Sequence, residues 1–328
     1  MIQPMTTPPG PQFRPPRGDA DAGALLTIRQ ECADRDGFDP LSTVEGLPTR
    51  EELVGQLWDA VAAPERYPLV EFNDQVIAYG RILDWTEGDG THVWLHLGWV
   101  RPAWRGMSVG TALLRELEQR IQQLAAAGAA ARWEFAANAS STEPEATQLL
   151  RDNGYRPGYT VLEMGLDWAA FDAAARAEWP DGFVLRPPTA ADTPAVTRSV
   201  AEAYRDEYPG ERYHEPMDVA GYAQELAGPR FDLSLAQVAW AGDEPAGQVI
   251  PLIERGRAEI YEVSVRPAYR RRGLARALLA RQLDALRARG VAVVRLHTMA
   301  EFPTQAVNLY HSLGFRVLKE FPRYRKQS

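Results

Sequence analysis

The sequence predicts two α/β domains in tandem, and two observations lead to that prediction. The chain has 328 residues, about twice the length of a typical domain. Residues 100–114 have the sequence VRPAWRGMSVGTALL, and residues 265–279 have the closely similar sequence VRPAYRRRGLARALL. Because both segments follow a strand-like apolar run and lead into a long helical pattern, we infer that the two halves repeat one fold.

Each copy continues through the same order of elements. A strand leads through Val-Arg-Pro into a long helix, which is followed by a strand, a second helix and a last strand. In the second copy Ala275, Leu279, Leu283 and Leu286 recur at spacings of three or four, which places them on one helix face. The predicted strands are His92–Val100, Ala131–Ala136 and Tyr159–Leu166 in the first copy and Glu259–Val265, Val291–His297 and Phe315–Phe321 in the second.

Upstream of each core the sequence predicts helices followed by a β-hairpin. Thr49 can cap a helix that runs through Ala62, with Glu51 and Glu52 in the first turn, where the helix dipole favours carboxylates. The second copy predicts the helices Asp192–Tyr204 and Met217–Leu226. The hairpins are predicted at Leu69–Phe72 with Val76–Trp85 and at Leu235–Trp240 with Ala246–Ile253.

The ends of the copies set the predicted domain boundaries. Residues 1–18 contain six prolines, two glycines and no apolar stretch, a composition that forms neither a packed element nor a targeting signal. The sequence therefore predicts a disordered, proline-rich tail over 1–21. An alanine-rich stretch ending at Pro180 separates the copies, so we expect a first domain over 22–166, a linker over 167–182 and a second domain over 183–328.

Composition excludes several classes of protein. Hydrophobic residues make up 45% and charged residues 24% of the chain, which excludes wholesale disorder. No apolar run approaches the roughly 18 residues of a membrane helix, and the net charge of -8 argues against a nucleic-acid partner. Cys32 is the single cysteine, which excludes an internal disulfide and favours a reducing, cytoplasmic location. Because the five histidines also lack ligand spacing, we expect no metal.

A turn between a strand and a helix carries the strongest chemical signal. Pro267 ends the strand, and the segment from Arg270 to Ala275 opens the helix. The first turn of a helix leaves backbone N–H groups free at the positive end of the dipole, and the small Gly273 and Ala275 let an anion approach them. The segment predicts a pyrophosphate cradle, to which its arginines add charge. A plain helix start with a solvated basic cap is the alternative.

This segment resembles the acetyl-CoA signature of the GNAT N-acetyltransferase superfamily. Arg270, Gly273 and Ala275 fill the three fixed positions of that signature. The family's closing pattern is also matched, by Ala306, Leu309, Tyr310, Gly314 and Phe315. The resemblance covers 183–328 throughout and, in a more degenerate form, about 22–166. It implies an α/β (α+β) fold of two tandem domains, each a mixed, mostly antiparallel sheet flanked by helices, with acetyl-CoA as cosubstrate.

The resemblance also implies where the cofactor binds. In the family the pantetheine arm pairs with the strand before the turn, which assigns it to the backbone of Val263, Ser264 and Val265. The turn and helix start hold the pyrophosphate, which assigns to the cofactor the residues Arg270, Arg271, Arg272, Gly273, Leu274, Ala275 and Arg276. One position departs from the family: Pro303 stands where relatives often carry an asparagine that binds the coenzyme arm, so contacts there must differ.

Acetyl transfer needs a base, because an amine with a pKa of about 10 is mostly ammonium at neutral pH. Glu259 lies where relatives carry a general-base glutamate, and Tyr310 corresponds to the family's general-acid tyrosine. On a regular strand Glu259 shares a face with Tyr261, Val263 and Val265. Glu262 lies on the opposite face and is the second candidate. The alternatives are a solvent-exposed carboxylate for Glu259 and ordinary packing for Tyr310.

The first copy lacks these groups. The positions of Gly273, Glu259 and Tyr310 are occupied by Ser108, Trp94 and Leu150. With base and acid missing and the turn altered, we expect the first half to shape the structure or the substrate site rather than to catalyse. Coenzyme binding by Gly98–Val100 and Gly106–Gly110 stays open. His92 and His96 are interpreted as core or surface histidines rather than as a replacement base.

The expected activity follows from the resemblance. Tandem members of this length resemble mycothiol synthase-like enzymes and the small-molecule acetyltransferases of antibiotic modification or biosynthesis. We therefore expect N-acetylation of a small-molecule primary amine, such as an amino sugar, an amino acid derivative or an antibiotic. The loop Tyr204–Met217, rich in carboxylates and tyrosines, suits a cationic, hydroxylated acceptor. A non-catalytic acyl-CoA-binding or sensing protein and a protein or peptide N-acetyltransferase remain open. Because two fused copies imitate a dimer, we expect a monomer or a homodimer.

Overall fold

The computed structural model describes residues 11–128, 130–173, 178–205, 217–254, 256–301 and 306–328. The strands are β1 (Gln12–Arg14), β2 (Leu69–Phe72), β3 (Gln75–Thr86), β4 (His92–Val100), β5 (Trp133–Asn138), β6 (Arg156–Leu166), β7 (Val184–Arg186), β8 (Gln237–Ala241), β9 (Glu244–Glu254), β10 (Arg257–Val265), β11 (Val294–Met299) and β12 (Phe315–Gln327). The helices are α1 (Ala22–Asp36), α2 (Arg50–Ala62), α3 (Val109–Ala127), α4 (Pro144–Asp152), α5 (Trp168–Ala173), α6 (Thr193–Tyr204), α7 (Val219–Ala227), α8 (Leu274–Ala288) and α9 (Ala306–Ser312).

All of these strands join one continuous sheet. Their order is β1-β2-β3-β4-β5-β12-β6-β11-β10-β9-β8-β7. The pairs β4–β5 and β10–β11 are parallel, and the other neighbours run antiparallel. Helices α1 and α3 pack on opposite faces of the first half, and α6 and α8 do so in the second. The expected mixed, mostly antiparallel sheet flanked by helices is confirmed.

The last strands of the two halves are exchanged. Strand β6, which ends the first half, lies between β12 and β11 and pairs with β11 from Val161 to Gly165. Strand β12, which ends the second half, lies between β6 and β5 and pairs with β5 from Arg323 to Gln327. The two exchanged strands also pair with each other along most of their length. The linker predicted over 167–182 therefore separates the repeats in the sequence without interrupting the sheet.

The exchange mixes the hydrophobic cores as well. Leu162 and Met164 on β6 are buried in the core beneath α8, together with Leu278 of that helix. Tyr324 on β12 is buried in the core beneath α3, together with Leu117. Since each half buries apolar side chains that belong to the other, hydrophobic burial as well as strand pairing holds the halves together.

The segment before α1 is structured from residue 11 onward. Strand β1 is an edge strand that pairs with β2, a position that tolerates neighbouring prolines because one strand edge needs no partner. The Arg14 guanidinium lies 2.6 Å from the Asp21 carboxylate and also binds Glu71, which ties β1 to α1 and β2. The prediction of a disordered tail is therefore wrong for residues 11–21, whereas residues 1–10 lie outside the described part.

Two helices begin at the caps that their sequences supply. The Thr49 hydroxyl accepts from the Glu52 N–H at 3.2 Å, and the Glu52 carboxylate accepts from the Thr49 N–H at 2.8 Å. This reciprocal capping box starts α2 at the predicted place. The Asp218 carboxylate accepts from the N–H groups of Ala220 and Gly221 at 3.1 and 3.0 Å and starts α7 in the same way.

Gly314, which leads into the exchanged strand β12, yields a stability prediction. Its φ is +94°, and an added Cβ would lie 2.7 Å from the Phe171 nitrogen and 3.0 Å from the Asp167 oxygen. Gly290 also has a positive φ, +75°, but nothing lies within 4 Å of its Cβ position. We expect Gly290→Ala to cost about 1 kcal/mol of unfolding free energy and Gly314→Ala clearly more. Urea unfolding measures both, and equal losses would contradict the predicted backbone clash.

Candidate active site

Strands β10 and β11 separate just beyond Glu259. The two parallel strands pair only at Ala258 with Val294 and at Glu259 with Arg295. From there β10 continues along β9, and β11 continues along β6. Within the described ranges no strand therefore occupies the β11-facing edge of Ile260–Val265, whose backbone groups can bind an extended ligand. In the first half β4 and β5 stay paired at five positions, so the opening there is shorter.

A β-bulge in β10 changes which residues share a face. The register against β9 shifts between Ile260 and Glu262, and one inserted residue reverses the alternation of side chains. Glu259 and Glu262 consequently lie on the same face, the one that carries α6 and α7. Val263 and Val265 face the core beneath α8, as Ile260 does. The expectation that placed Glu259 with the two valines and opposite Glu262 is therefore wrong.

The turn before α8 has the left-handed backbone expected of a tight cradle. Arg271 and Gly273 have φ values of +64° and +79°, and the helix begins at Leu274. A Cβ added to Gly273 would meet nothing within 4 Å, and Arg271, Arg272 and Gly273 are exposed. The positive end of α8 is therefore open to solvent, as an anion site at a helix start requires.

Arg270 and Arg276, both assigned to the cofactor, connect the turn and α8 to other elements of the protein. Arg270 donates to the Val265 carbonyl at 3.0 Å and to the Ala203 carbonyl at 2.5 Å, which ties the turn to β10 and α6. Arg276 binds the Ser312 hydroxyl and, at 3.2 Å, the Ser312 carbonyl, which ties α8 to α9. These contacts shape the turn. Arg271 and Arg272 between them are exposed, although Arg272 also donates to the Ala268 carbonyl at 3.4 Å.

Glu259 is a buried carboxylate with two cationic or polar neighbours. Only 5% of its surface is exposed, so the alternative of a solvent-exposed strand start is wrong. One carboxylate oxygen accepts from Arg257 at 3.2 Å, and the other lies 3.4 Å from Nδ1 of His297. The Arg257 side chain is buried as well, whereas the His297 side chain is 44% exposed. The site therefore holds a carboxylate of fixed orientation beside one group that reaches solvent.

Tyr310 lies in α9 against the core beneath α8. Its ring centre is 6.0 Å from that of Phe315 in an edge-to-face contact, and 7% of the residue is exposed. This geometry agrees with ordinary packing, and the role of Tyr310 as an acid stays a prediction. The position of Pro303 lies outside the described residues.

Tyrosines and carboxylates gather beside Glu259, between β10 and the helices α6 and α7. The Tyr204 hydroxyl donates to Glu262 and the Tyr261 hydroxyl donates to Glu225, each at 3.3 Å. Burial, together with the charge of Glu262, raises the pKa of Tyr222 well above its usual value. Tyr222 therefore keeps its proton and can donate to a ligand, and its hydroxyl has no hydrogen-bond partner in the described ranges.

Tyr222 and Glu225 were not singled out by the sequence, although a signal was present. Both belong to the helix predicted over Met217–Leu226, and a spacing of three residues places them on one helix face. The segment expected to cover the acceptor, Tyr204–Met217, falls largely in 206–216, which the structure does not describe. The described face of α7 thus supplies tyrosine and carboxylate groups that the loop was expected to provide.

The first half keeps the shape of the turn without its sequence. Gly106 and Ser108 have φ values of +73° and +62°, so both left-handed positions are retained and the glycine has moved to the first of them. Arg105 donates to the Val100 carbonyl at 3.2 Å, as Arg270 does to its own strand. The expectation that Ser108 alters the turn is wrong for the backbone. A cavity of about 1180 Å³ lies beside this turn, between α1, β4 and α4.

The positions that correspond to Glu259 and Tyr310 carry apolar side chains in the first half. Trp94 and Leu150 are buried in the core beneath α3. His96 is buried beside them, and its Nε2 lies 2.7 Å from the Tyr155 hydroxyl, as expected of a core histidine. Among the described residues no group of three or more His, Cys, Asp or Glu side chains could hold a metal ion, and no helix is long and apolar enough to cross a membrane.

Comparison with known proteins gives a consistent result. The model of the acetyltransferase (GNAT) family matches residues 31–154 and 197–315. The chain is 31% identical to a mycothiol acetyltransferase of Nocardia farcinica over 306 residues, which cover 91% of this chain and 95% of that protein. A shorter stretch of 58 residues, 18% of this chain and 38% of the relative, is 45% identical to an Escherichia coli ribosomal protein bS18 alanine N-acetyltransferase.

Solved structures show the same architecture over the whole chain. A GCN5-related N-acetyltransferase from Sphaerobacter thermophilus superposes with a TM-score of 0.74 at 26% identity, covering 98% of this chain and 97% of that one. A tandem GNAT protein from the clavulanic acid biosynthesis pathway superposes with a TM-score of 0.64 at 16% identity, covering 97% and 98%. The second likeness concerns the fold alone.

The buried His96 yields a prediction about pH. Burial, and to a smaller extent the charge of Lys326, lowers its pKa to about 3, whereas an unfolded histidine has a pKa of about 6.5. The contribution of His96 to the free energy of unfolding is therefore fully present above about pH 6.5. It falls by up to about 1.4 kcal/mol per pH unit as the pH drops toward 3, because the unfolded chain binds a proton that the folded chain excludes.

We expect His96→Asn to remove about 1.6 kcal/mol of the stability difference between pH 6.5 and pH 5. Urea unfolding of both proteins at the two pH values measures this difference. The same pH dependence in both proteins would show that His96 is not kept neutral by its surroundings.

Proposed function

The chain belongs to the acetyltransferase (GNAT) family, and on that premise we propose that its second half transfers the acetyl group of acetyl-CoA to a primary amine of a small molecule. The observation that carries this proposal is the opening between β10 and β11 next to the buried Glu259. Strand β10 leads from that carboxylate directly to the turn before α8. A ligand that extends along the open edge of β10 therefore reaches both Glu259 and the turn.

The cofactor occupies that edge and that turn. The amides of the pantetheine arm pair with the backbone of Val263–Val265, on the side left open by β11. The pyrophosphate binds the N–H groups at the start of α8, over the residues Gly273–Arg276, where the helix dipole favours an anion. The exposed Arg271 and Arg272 add positive charge at the same place. No metal takes part in this arrangement.

The reaction is a direct transfer with an acid and a base. Glu259 accepts a proton from the ammonium group of the acceptor, and the free amine attacks the thioester carbonyl carbon. A C–N bond forms and the C–S bond breaks. The leaving coenzyme A thiolate takes a proton from Tyr310, and the second proton, which the nitrogen loses as it becomes an amide, passes through solvent to the Tyr310 phenolate. The burial of Glu259 supports its assignment as base, because a fixed carboxylate needs little reorganisation. Glu262, which lies on the same face, remains the second candidate.

The acceptor is a cationic, hydroxylated small amine. The face beside Glu259 carries the carboxylates Glu225 and Glu262 and the Tyr222 hydroxyl, which has no hydrogen-bond partner among the described residues. These groups complement ammonium and hydroxyl groups. The mycothiol acetyltransferase relative matches almost the whole chain, whereas the ribosomal protein acetyltransferase matches only 18% of it. The likeness over the whole chain therefore favours a small acceptor over a peptide.

The exchanged strands bear on the assembly of the protein. They already pair the two halves as the subunits of a dimer would pair, which supports a monomer over a homodimer.

The free Cys32 fits a reducing, cytoplasmic location.

The base and acid assignments are tested by two isosteric substitutions. We expect Glu259→Gln to lower kcat by a factor of about 10² to 10⁴ and Tyr310→Phe by a smaller factor, with little change in KM for acetyl-CoA. Steady-state kinetics with a panel of amino sugars, amino acid derivatives and peptides measures both. An undiminished kcat for Glu259→Gln would remove the base assignment. If no amine is acetylated while acetyl-CoA raises the melting temperature, the protein is a binder rather than an enzyme.

The cradle is tested at Gly273. A Cβ there meets no protein atom, so Gly273→Ala is expected to cost only about 1 kcal/mol of stability but to narrow the place assigned to the pyrophosphate. We expect KM for acetyl-CoA to rise about tenfold or more, a loss of about 1.4 kcal/mol in binding. Gly290→Ala is the matched control, because it has the same backbone strain at the far end of α8. If both variants raise KM equally, the turn is not the pyrophosphate site.

A further inference from the structure

A loop of the first half lies against the strands of the second half beside Glu259. This segment, Asp39–Glu45, is termed the α1–α2 loop. The Ser42 hydroxyl donates to one oxygen of Glu163 at 2.8 Å, and the Thr43 N–H donates to the other at 2.6 Å. Glu163 is almost fully buried and lies on the exchanged strand β6, paired with β11 at His297. The strand exchange therefore provides the acceptor that holds the loop.

Further contacts fix the shape and the ends of the α1–α2 loop. The Ser42 hydroxyl also accepts from the N–H groups of Val44 and Glu45, each at 3.1 Å. The two ends of the α1–α2 loop are held by ion pairs, of Asp39 with Arg295 at 2.8 Å and of Glu45 with Lys319 at 2.7 Å. Both of these cations belong to the second half, so each end of the loop is fastened to the opposite half of the molecule.

The α1–α2 loop contacts both neighbours of Glu259. The Ser42 carbonyl accepts from Arg257 at 3.1 Å, and the same guanidinium donates to Glu259 at 3.2 Å through another nitrogen. The Thr43 hydroxyl lies 3.3 Å from Nδ1 of His297, and that nitrogen is 3.4 Å from the second oxygen of Glu259. One oxygen of Glu259 therefore contacts Arg257 and the other contacts His297, and both of these residues contact the α1–α2 loop.

Arg257 depends on these two contacts. Its side chain is 6% exposed, and its Nε has no hydrogen-bond partner among the residues the structure describes. A buried guanidinium needs its remaining partners to stay in place. For Arg257 those partners are the Glu259 carboxylate and the Ser42 carbonyl. Without the carbonyl, nothing in this network fixes the angle at which Arg257 presents its N–H groups to Glu259.

We propose that the α1–α2 loop of the first half is a positioning element of the second-half active site. Resting on the proposed function, the inference states that Arg257 and His297 are positioning residues that transmit the placement of the loop to the base, Glu259. The first half then takes part in catalysis without a base of its own. Orientation of the base affects the chemical step, so disturbing the loop lowers kcat rather than the affinity for acetyl-CoA.

The test is a double-mutant cycle between loop and base. Ser42→Ala removes the hydroxyl that binds Glu163 and closes the loop, and it is made in the wild-type protein and in Glu259→Gln. In the wild type we expect kcat to fall about tenfold, with KM for acetyl-CoA changed less than about twofold. In Glu259→Gln, measured by single turnover at high enzyme concentration, we expect a change of less than about twofold, because no base remains to be positioned.

Arg257 is tested by a pair of substitutions. Arg257→Met removes both of its hydrogen bonds, whereas Arg257→Lys keeps the charge and can donate to one of its two partners. We expect Lys to retain several-fold more of the wild-type kcat than Met. In the Glu259→Gln background the two variants are expected to be equally active. This background also removes the unpaired buried carboxylate that Arg257→Met alone would leave.

Thr49→Ala is the matched control. It removes a hydroxyl from the same half, a few residues after the loop, and takes away the cap of α2 without touching Glu259 or its neighbours. We expect a loss of stability comparable to that of Ser42→Ala and an unchanged kcat. A fall of kcat in this variant as large as in Ser42→Ala would attribute the effect to stability alone and overturn the proposal.

The outcomes separate this inference from the proposed function. If Glu259→Gln leaves kcat unchanged, the base assignment fails, and the positioning role falls with it. If Glu259→Gln lowers kcat but Ser42→Ala and Arg257→Met cost equally in both backgrounds, the proposed function stands and the positioning role is overturned. If their effects vanish in the Glu259→Gln background, the loop acts through the base.

Discussion

The pairing of β6 with β12 is the constraint on which the rest of the structure depends. Because these strands are exchanged, each half completes its sheet and its core with a strand from the other. The exchange also brings the Glu163 carboxylate of the first half next to β11 of the second, where it holds the α1–α2 loop. The surroundings of Glu259 therefore follow from a pairing far from it in sequence.

Features governed by local sequence could be predicted. The repeat, the order of elements, the cap at Thr49 and the turn before α8 depend on residues that are neighbours along the chain, and the structure has all of them. Even so, local inference failed at Ser108. We expected an altered turn because single positions were compared and Ser108 replaces a glycine. In the structure Gly106, two residues earlier, supplies flexibility, and the backbone keeps the same pair of left-handed residues.

Features governed by partners distant in the chain could not be predicted. Strand β6 satisfies the same apolar pattern whether it pairs within its own half or across to the other, so the exchange leaves no trace in the sequence of either copy. The bulge at Ile260–Glu262 exists only relative to β9, and it inverted the assignment of faces along β10. Glu259 was identified from its position, but Ser42 and Glu163 come from distant parts of the chain. Arg257, only two residues before Glu259, is held by the Ser42 carbonyl.

These contacts give a physical reason for keeping two copies in one chain when only one of them has a carboxylate at the position of Glu259. In the first half Trp94 and His96 lie in a packed core, so the loss of a carboxylate there leaves no buried charge to compensate. The second half differs, because Arg257 and Glu259 are buried charges that need further hydrogen-bond partners. A carbonyl of the first half meets that requirement. Separating the halves would remove both the exchanged strand and this carbonyl, so the half that carries Glu259 depends on the half that does not.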